Sequence, residues 1–130
     1  MIEYDNQLKE VLTVSAITSL IDTFSDSVAT YPAIFNANVL PSYFKGAKSI
    51  NFYVASPISG GLEYANILFT VNCRANSYPE SRAIQDMVFN TINREKSSLG
   101  GFFKCDILAT IPPQDETDNF NSIVEILLRA

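Results

Sequence analysis

The stretch VNCRANSYPES, from Val71 to Ser81, joins two kinds of structure in this chain. Its first half continues a run in which apolar and polar residues alternate, which is typical of a β-strand with one buried face. Its second half contains Ser77-Tyr78-Pro79-Glu80, which fits the S-x-x-E pattern of a helix capping box with proline in the first turn. The stretch therefore predicts a strand-to-helix corner, and it raises the question whether Cys73 at this corner is catalytic.

The alternation assigns the side chains of strand 63–75 to two faces. The inner face carries apolar residues and the outer face carries polar ones, in two series: Ala65, Ile67, Phe69, Val71 and Cys73 inside, and Asn66, Thr70, Asn72 and Arg74 outside. We expect Cys73 to be buried, and burial raises the pKa of a thiol and makes it unreactive. The chain has no histidine to activate a nucleophile or to complete a common catalytic zinc site. We therefore expect no catalytic residue.

Further elements flank this corner on both sides. Residues 48–56 predict a strand that Pro57 ends, and PISGG predicts the turn of a hairpin with strand 63–75. Residues 77–96 predict a helix whose apolar face carries Ile84, Met87, Val88, Thr91 and Ile92. Residues 102–111 and 119–128 predict two closing strands, and PPQDETD between them predicts an exposed acidic turn.

The first thirty residues carry the apolar spacing of an amphipathic helix. Residues three and four positions apart form one stripe: Leu8, Val11, Leu12, Ile17, Leu20, Ile21, Phe24 and Val28. A break near residues 13–15, where a hydroxyl side chain would cap a second helix, is the alternative. Tyr31-Pro32 predicts the end of the helical region. Residues 32–48 predict a long connection with apolar anchors, a length that usually serves binding or assembly.

The element order predicts an α+β domain. We expect an antiparallel sheet of about four strands with two helices packed on one face, in an order that the sequence leaves open. A chain of 130 residues is close to the commonest size of a single domain. The prediction is therefore one domain over residues 1–130, with residues 1–14 as an N-terminal arm or helix extension.

Composition and charge exclude several function classes. The net charge is −5 and the nine basic residues are scattered, which argues against a nucleic-acid-binding surface. No apolar run reaches the roughly 18 residues of a membrane span, and the first ten residues are acidic where a signal peptide is basic. Cys73 and Cys105 lack the spacing of a zinc site, and QDETD lacks that of a calcium loop. We expect a soluble intracellular protein without metal or cofactor.

Two sets of side chains are candidates for contact with a neighbouring subunit. The polar set is the outer strand face, with Asn66, Thr70, Asn72 and Arg74. The aromatic set lies in and beside the long connection, with Tyr31, Phe35, Tyr43 and Phe44, because aromatic residues are enriched at the centres of interfaces. A solvated strand face and burial in the core are the respective alternatives.

One long segment resembles a known family. ANILFTVNCRANSYPESRAIQDMVFNTI, residues 65–92, with NVLP at 38–41 and NFYV at 51–54, resembles the tail-completion or tail-terminator proteins of long-tailed bacteriophages. In that family a strand with V-x-C/V-x-A continues into SY-x-E-A. The matching positions are Val71, Cys73, Ala75, Ser77, Tyr78 and Glu80, and Ser81 stands in place of the usual alanine. The resemblance covers residues 15–129 and leaves out the N-terminal arm.

The resemblance implies a structural virion protein without enzymatic activity. Such proteins form a homo-oligomeric ring, usually a hexamer, that ends the tail tube and binds the head's neck, or connector, protein. DNA passes through the ring without specific binding, and an excess of acidic residues suits such a channel. The implied location is the head–tail interface of the virion tail, after assembly in the host cytoplasm.

Two alternatives differ in class. One is a neck adaptor or stopper ring at the portal, which is often twelvefold. The other is a small enzymatic or ligand-binding domain that uses Arg74, Glu80 or the acidic segment 114–118.

Overall fold

The computed structural model describes residues 2–59, 65–95, 104–116 and 119–129. This part of the chain contains three helices and seven strands, which confirms the α+β class. In chain order they are α1 Ile2–Leu12, α2 Ser15–Thr18, β1 Thr23–Ser25, β2 Thr30–Pro32, β3 Ile34–Asn36, β4 Ser49–Ser59, β5 Ala65–Ala75, α3 Tyr78–Glu95, β6 Lys104–Glu116 and β7 Asn119–Arg129.

Five of the strands form one sheet in the order β3-β4-β5-β7-β6. The central strand β5 pairs antiparallel with β4 and β7, so that Phe69 lies opposite Val54 on one side and Ile126 on the other. The outer strand β6 pairs antiparallel with β7. A separate antiparallel hairpin consists of β1 and β2. The last strand of the chain therefore lies between β5 and β6.

The predicted sheet of about four antiparallel strands is wrong in one respect, because a fifth strand makes the sheet mixed. This strand, β3, runs parallel to β4, with Ile34 opposite Ile50. It lies inside the region predicted as a loop, where three residues are too few to show a period of two. Parallel neighbours need a crossover of about a dozen residues, and segment 37–48 provides it.

The alternative of a break near residues 13–15 is confirmed, because α1 ends at Leu12 and α2 begins at Ser15, although no hydroxyl side chain caps α2. The predicted helix is wrong beyond Thr18, where α2 ends. The region around Asp26 forms the β1–β2 hairpin instead. Asp26 Oδ1 accepts the backbone amides of Val28 and Ala29 at 2.7 and 2.8 Å. Such bonds give the backbone an alternative to helical hydrogen bonds, so the helical apolar spacing did not produce a helix here.

Two strands continue through prolines that were predicted to end them. Strand β4 runs past Pro57 after an irregularity between Val54 and Ser56. Strand β6 runs through Pro112-Pro113, which fall in a gap of its pairing with β7, and it continues to Glu116. Proline is tolerated at irregularities and on outer strands. The acidic segment is therefore mostly strand, and its residues 117–118 lie outside the described part.

One hydrophobic core fills the space between the sheet and the helices α1 and α3. Its largest side chains come from both layers and are almost fully buried: Leu8, Leu12, Phe52, Phe69, Ile84, Ile92 and Ile126. Each such side chain stabilises the fold by about 1.5–3 kcal/mol. The predicted apolar face of α3 is confirmed, because Ile84, Val88, Thr91 and Ile92 are buried and Met87 is partly buried against the same core.

Asp22 holds the crossover between β3 and β4 in place. Its Oδ2 accepts the amides of Ala47 and Lys48 at 2.7 and 2.8 Å. Its backbone carbonyl accepts the amide of Ala33 at 2.9 Å. A Cβ atom at Gly46 would lie 2.9 Å from Asp22 Oδ2, so glycine is needed for this close approach. Asp22 therefore connects the end of the crossover to the strand edge.

We predict that Asp22→Ala lowers the free energy of unfolding by about 1.5–3 kcal/mol, because two amides lose a charged acceptor. Asp22→Asn is the matched control, since its side-chain oxygen still accepts at the same place. Urea denaturation measures both variants. A loss in D22N as large as that in D22A would contradict the role of the side-chain oxygen as an acceptor for these two amides.

Candidate functional site

The strand-to-helix corner is built as a capped helix start. The Ser77 hydroxyl donates to Glu80 Oε1 at 2.8 Å, and the Glu80 amide lies 3.4 Å from Ser77 Oγ. In a typical capping box the glutamate accepts from the serine amide, whereas the carboxylate of Glu80 accepts from the Ser77 hydroxyl. Glu80 brings a negative charge to the positive end of α3. The corner therefore disfavours a bound anion such as phosphate.

Cys73 lies in this corner but is fully buried. Burial raises the pKa of the Cys73 thiol to about 12, although a hydrogen bond with Ser122 acts in the opposite direction. A thiol nucleophile must be ionised to react. Cys73 is therefore a core residue and is poorly placed for catalysis.

Two buried hydroxyl groups connect β5, α3 and β7 beside Cys73. Ser81 Oγ donates to the Cys73 carbonyl at 2.8 Å and lies 3.0 Å from Ser122 Oγ. Ser122 Oγ in turn lies 3.3 Å from the same carbonyl. Both serines are fully buried, so each hydroxyl satisfies its hydrogen bonding inside the fold. We call this group the serine seam, and the hydrogen bonds described for its two hydroxyls join them to each other and to backbone carbonyls, which holds the three elements together.

The polar candidates lie on the sheet face opposite the helices and bond within the chain. Asn121 Nδ2 donates to Asn72 Oδ1 at 2.8 Å. Arg74 Nε donates to Asn51 Oδ1 at 3.1 Å, and Asn51 Nδ2 donates to the Ala37 carbonyl at 3.0 Å. These bonds connect β7, β5, β4 and the crossover segment. The proposed contact of Asn72 and Arg74 with a neighbouring subunit stays a prediction.

The remaining interface candidates differ in exposure. Thr70, Phe35 and Phe44 are buried in this chain, whereas Tyr43 is 64% exposed. The side chain of Asn66 lies outside the described part. Asn72 is buried as well, and of the aromatic candidates Tyr31 and Tyr43 keep an exposed surface that is open to a partner.

An aromatic cluster attaches the β1–β2 hairpin to β3. The ring centroid of Phe24 lies 5.1 Å from that of Phe35, 5.5 Å from that of Tyr31 and 5.7 Å from that of Tyr43. Phe35 also contacts Phe44, at 5.3 Å. These separations are those of favourable aromatic pairs. The cluster forms a second, smaller core that fixes the hairpin at the β3 edge of the sheet.

Large apolar side chains that are exposed fall into two groups in the described part of the chain. The first group flanks β3 and contains Val28, Tyr31, Val39 and Tyr43. The second group lies on α3 and β6 and contains Tyr78, Phe89 and Leu108. Phe89 lines a groove beside β6 and Leu108 lies on β6, whereas Tyr31 and Tyr43 pack on Phe24 beside β3, so these side chains lie toward opposite edges of the sheet. Tyr78 packs on Phe120 of β7 instead.

Of these exposed residues, the sequence pattern indicates only Tyr31 and Tyr43 as surface candidates. Val28 has the spacing of an apolar helix stripe, yet it is 85% exposed at the hairpin turn. The signal that could have found it is the Ser-Asp-Ser sequence at residues 25–27, which favours a turn. Phe89 lies off the apolar face of α3, and this position in the helix indicates that its side chain is exposed.

A groove of about 300 Å³ lies between α3 and β6. It is lined by Arg82, Gln85, Asp86, Phe89, Thr110 and Pro112. Gln85 Nε2 donates to the carbonyls of Ile111 and Ile123 at 2.7 and 2.9 Å, where the pairing of β6 is irregular. Arg82 Nε bonds to Asp86 Oδ1 at 3.1 Å on the exposed rim. A groove lined by apolar groups and by polar groups that are already paired is better suited to binding a side chain of another molecule than to acid–base catalysis.

The described residues contain no cluster of His, Cys, Asp and Glu that could hold a metal ion. Within the same ranges, no helix is long and apolar enough to cross a membrane. Comparison with known proteins gave no matching family model and no matching curated protein. The resemblance to tail terminators therefore rests on residues of the sequence alone.

We predict that Cys73 resists alkylation in the folded protein. The reagent is iodoacetamide at about pH 8, and peptide mapping by mass spectrometry reports each cysteine separately. The raised pKa also predicts that the neutral thiol contributes to stability below pH 9.0 and that this contribution is lost as the pH rises towards about 12. Labelling of Cys73 as fast as that of a free thiol would contradict its burial.

Proposed function

We propose that this chain is a structural protein that associates head to tail into a ring, and that the ring is a tail terminator of a long-tailed bacteriophage. The separation of exposed apolar side chains toward two opposite sheet edges carries the ring proposal. A ring needs a heterologous interface, in which one patch meets a different patch on the next subunit. A single self-complementary patch would favour a closed dimer instead.

The charge distribution supports the same proposal. Copies of a chain with a net charge of −5 repel one another. Residues 27–44 contain no charged side chain and include the exposed group beside β3. Association through this region is therefore opposed least by electrostatic repulsion.

The assignment to tail terminators rests on the resemblance of residues 65–92 and on the element order around them. The structure gives this segment the form of a central strand, a capped corner and a packed helix. In the proposed role the ring binds the tail tube protein on one side and a neck protein on the other. Its acidic character suits a channel through which DNA passes without being held.

The number of subunits separates the proposal from its structural alternative. We expect a hexamer when the purified chain is concentrated, and native mass spectrometry gives the subunit count directly. A twelvefold ring would favour a neck adaptor.

Binding to purified tail tubes is the second test, with electron microscopy locating the protein at tube ends. A chain that stays monomeric at high concentration and does not bind tube ends would contradict the proposed function.

A further inference from the structure

A groove beside the β1–β2 hairpin combines aromatic rings with one carboxylate. It has a volume of about 410 Å³ and is lined by Phe24, Ser25, Asp26 and Tyr43, and we call it the Tyr43 groove. The ring centroids of Phe24 and Tyr43 lie 5.7 Å apart, and their planes are inclined by 51°. Tyr43 is also exposed over most of its surface, so a ligand can cover part of its ring.

Asp26 brings a negative charge that no cation of the described residues balances. Hydrogen bonds from the amides of Ala29 and Val28 lower the pKa of Asp26, so its carboxylate is ionised at neutral pH. Both amides bond to Oδ1, and Oδ2 accepts neither of them. The described part of the chain has an ion pair between Arg82 and Asp86 but none that includes Asp26. The carboxylate is therefore available to a cation from another molecule.

The basic residues on either side of the hairpin in the sequence do not line the Tyr43 groove. Lys9 lines a separate groove that Phe24 also borders. Lys45 and Lys48 line neither of the two. The chain as a whole has a net charge of −5, which adds a long-range attraction for a cationic partner. Charge complementarity therefore favours a cation as the occupant.

Among biological cations, the arginine side chain matches every group of this groove. A guanidinium is planar, stacks on an aromatic ring face and still presents N–H donors to a carboxylate at its edge. Tyr43 and Phe24 supply the rings, and Asp26 supplies the carboxylate. A lysine ammonium is a strongly hydrated point charge, and a quaternary ammonium has no N–H donor, so each would use only part of the groove.

A different protein is a better source of this arginine than a second copy of the chain. Two arginine side chains are described, and both are engaged within the chain. Arg74 Nε donates to Asn51 Oδ1 at 3.1 Å, and Arg82 is paired with Asp86. Either one would have to give up that bond in order to bind elsewhere.

We propose that the Tyr43 groove binds an arginine side chain of a partner protein, with the guanidinium against the ring of Tyr43 and the carboxylate of Asp26. The groove is formed within a single chain, so this inference does not depend on the proposed ring.

The test uses N-acetyl-arginine methylamide as the probe, titrated into ¹⁵N-labelled protein. A salt concentration of about 150 mM screens non-specific attraction between exposed charges. We expect saturable shifts of the amide NMR signals of residues 24–29 and of Tyr43. N-acetyl-citrulline methylamide has nearly the same shape without the charge, and it should bind about tenfold more weakly.

Asp26→Asn removes the charge and keeps the turn, because an asparagine oxygen still accepts the amides of Val28 and Ala29. We expect D26N to weaken binding of the arginine probe by about tenfold. Asp115→Asn is the matched control, since it makes the same change at an exposed position of β6 and should have no effect. Tyr43→Leu should also weaken binding, whereas Tyr43→Phe should retain it because the ring remains.

Three results would overturn the site. They are an absence of saturable shifts, equal binding of the arginine and citrulline probes, and arginine binding that D26N and Y43L leave unchanged. N-acetyl-lysine methylamide binding as tightly as the arginine probe would overturn arginine as the occupant. None of these results bears on the ring proposal, which the subunit count tests separately.

Discussion

Strand β7 lies between β5 and β6, and this position determines how the other elements of the fold are arranged. After β5 the chain passes through α3 and returns as β6 at the outer edge, which leaves space for the last strand. The serine seam closes this arrangement, since Ser81 on α3 and Ser122 on β7 share the Cys73 carbonyl of β5. Cys73 and Ser122 are 49 residues apart, so their contact must offset the entropy of closing a long loop.

The same constraint determines what each sheet edge presents. With β7 inside, β6 remains on the outside beside α3, and the two form the groove. On the other edge the short β3 is covered by aromatic rings, which fix the hairpin that carries Val28. The chemistry at the centre is structural, because Cys73 and both seam serines are buried and hydrogen bonded. The exposed groups that a partner could contact therefore lie toward the sheet edges and not at the strand-to-helix corner.

Local periodicity explains which parts of the fold the sequence could predict. The alternation in β5, the apolar face of α3 and the cap at Ser77 each depend on neighbours a few residues apart, and all appear in the structure. The three-residue β3 pairs with β4 only because a crossover brings the two strands side by side, and no local sequence pattern indicates that pairing. The hairpin depends on hydrogen bonds to the side chain of Asp26, which favour a turn although the apolar spacing of this region is that of a helix. For the candidate surface, Phe35 is buried by the same hairpin that the sequence pattern missed.

An electron cryomicroscopy map of the purified assembly shows whether opposite sheet edges meet. We expect a closed ring in which the exposed side chains beside β3 of every subunit contact the α3 and β6 side of the next. An assembly built from twofold contacts between identical edges would contradict the head-to-tail ring.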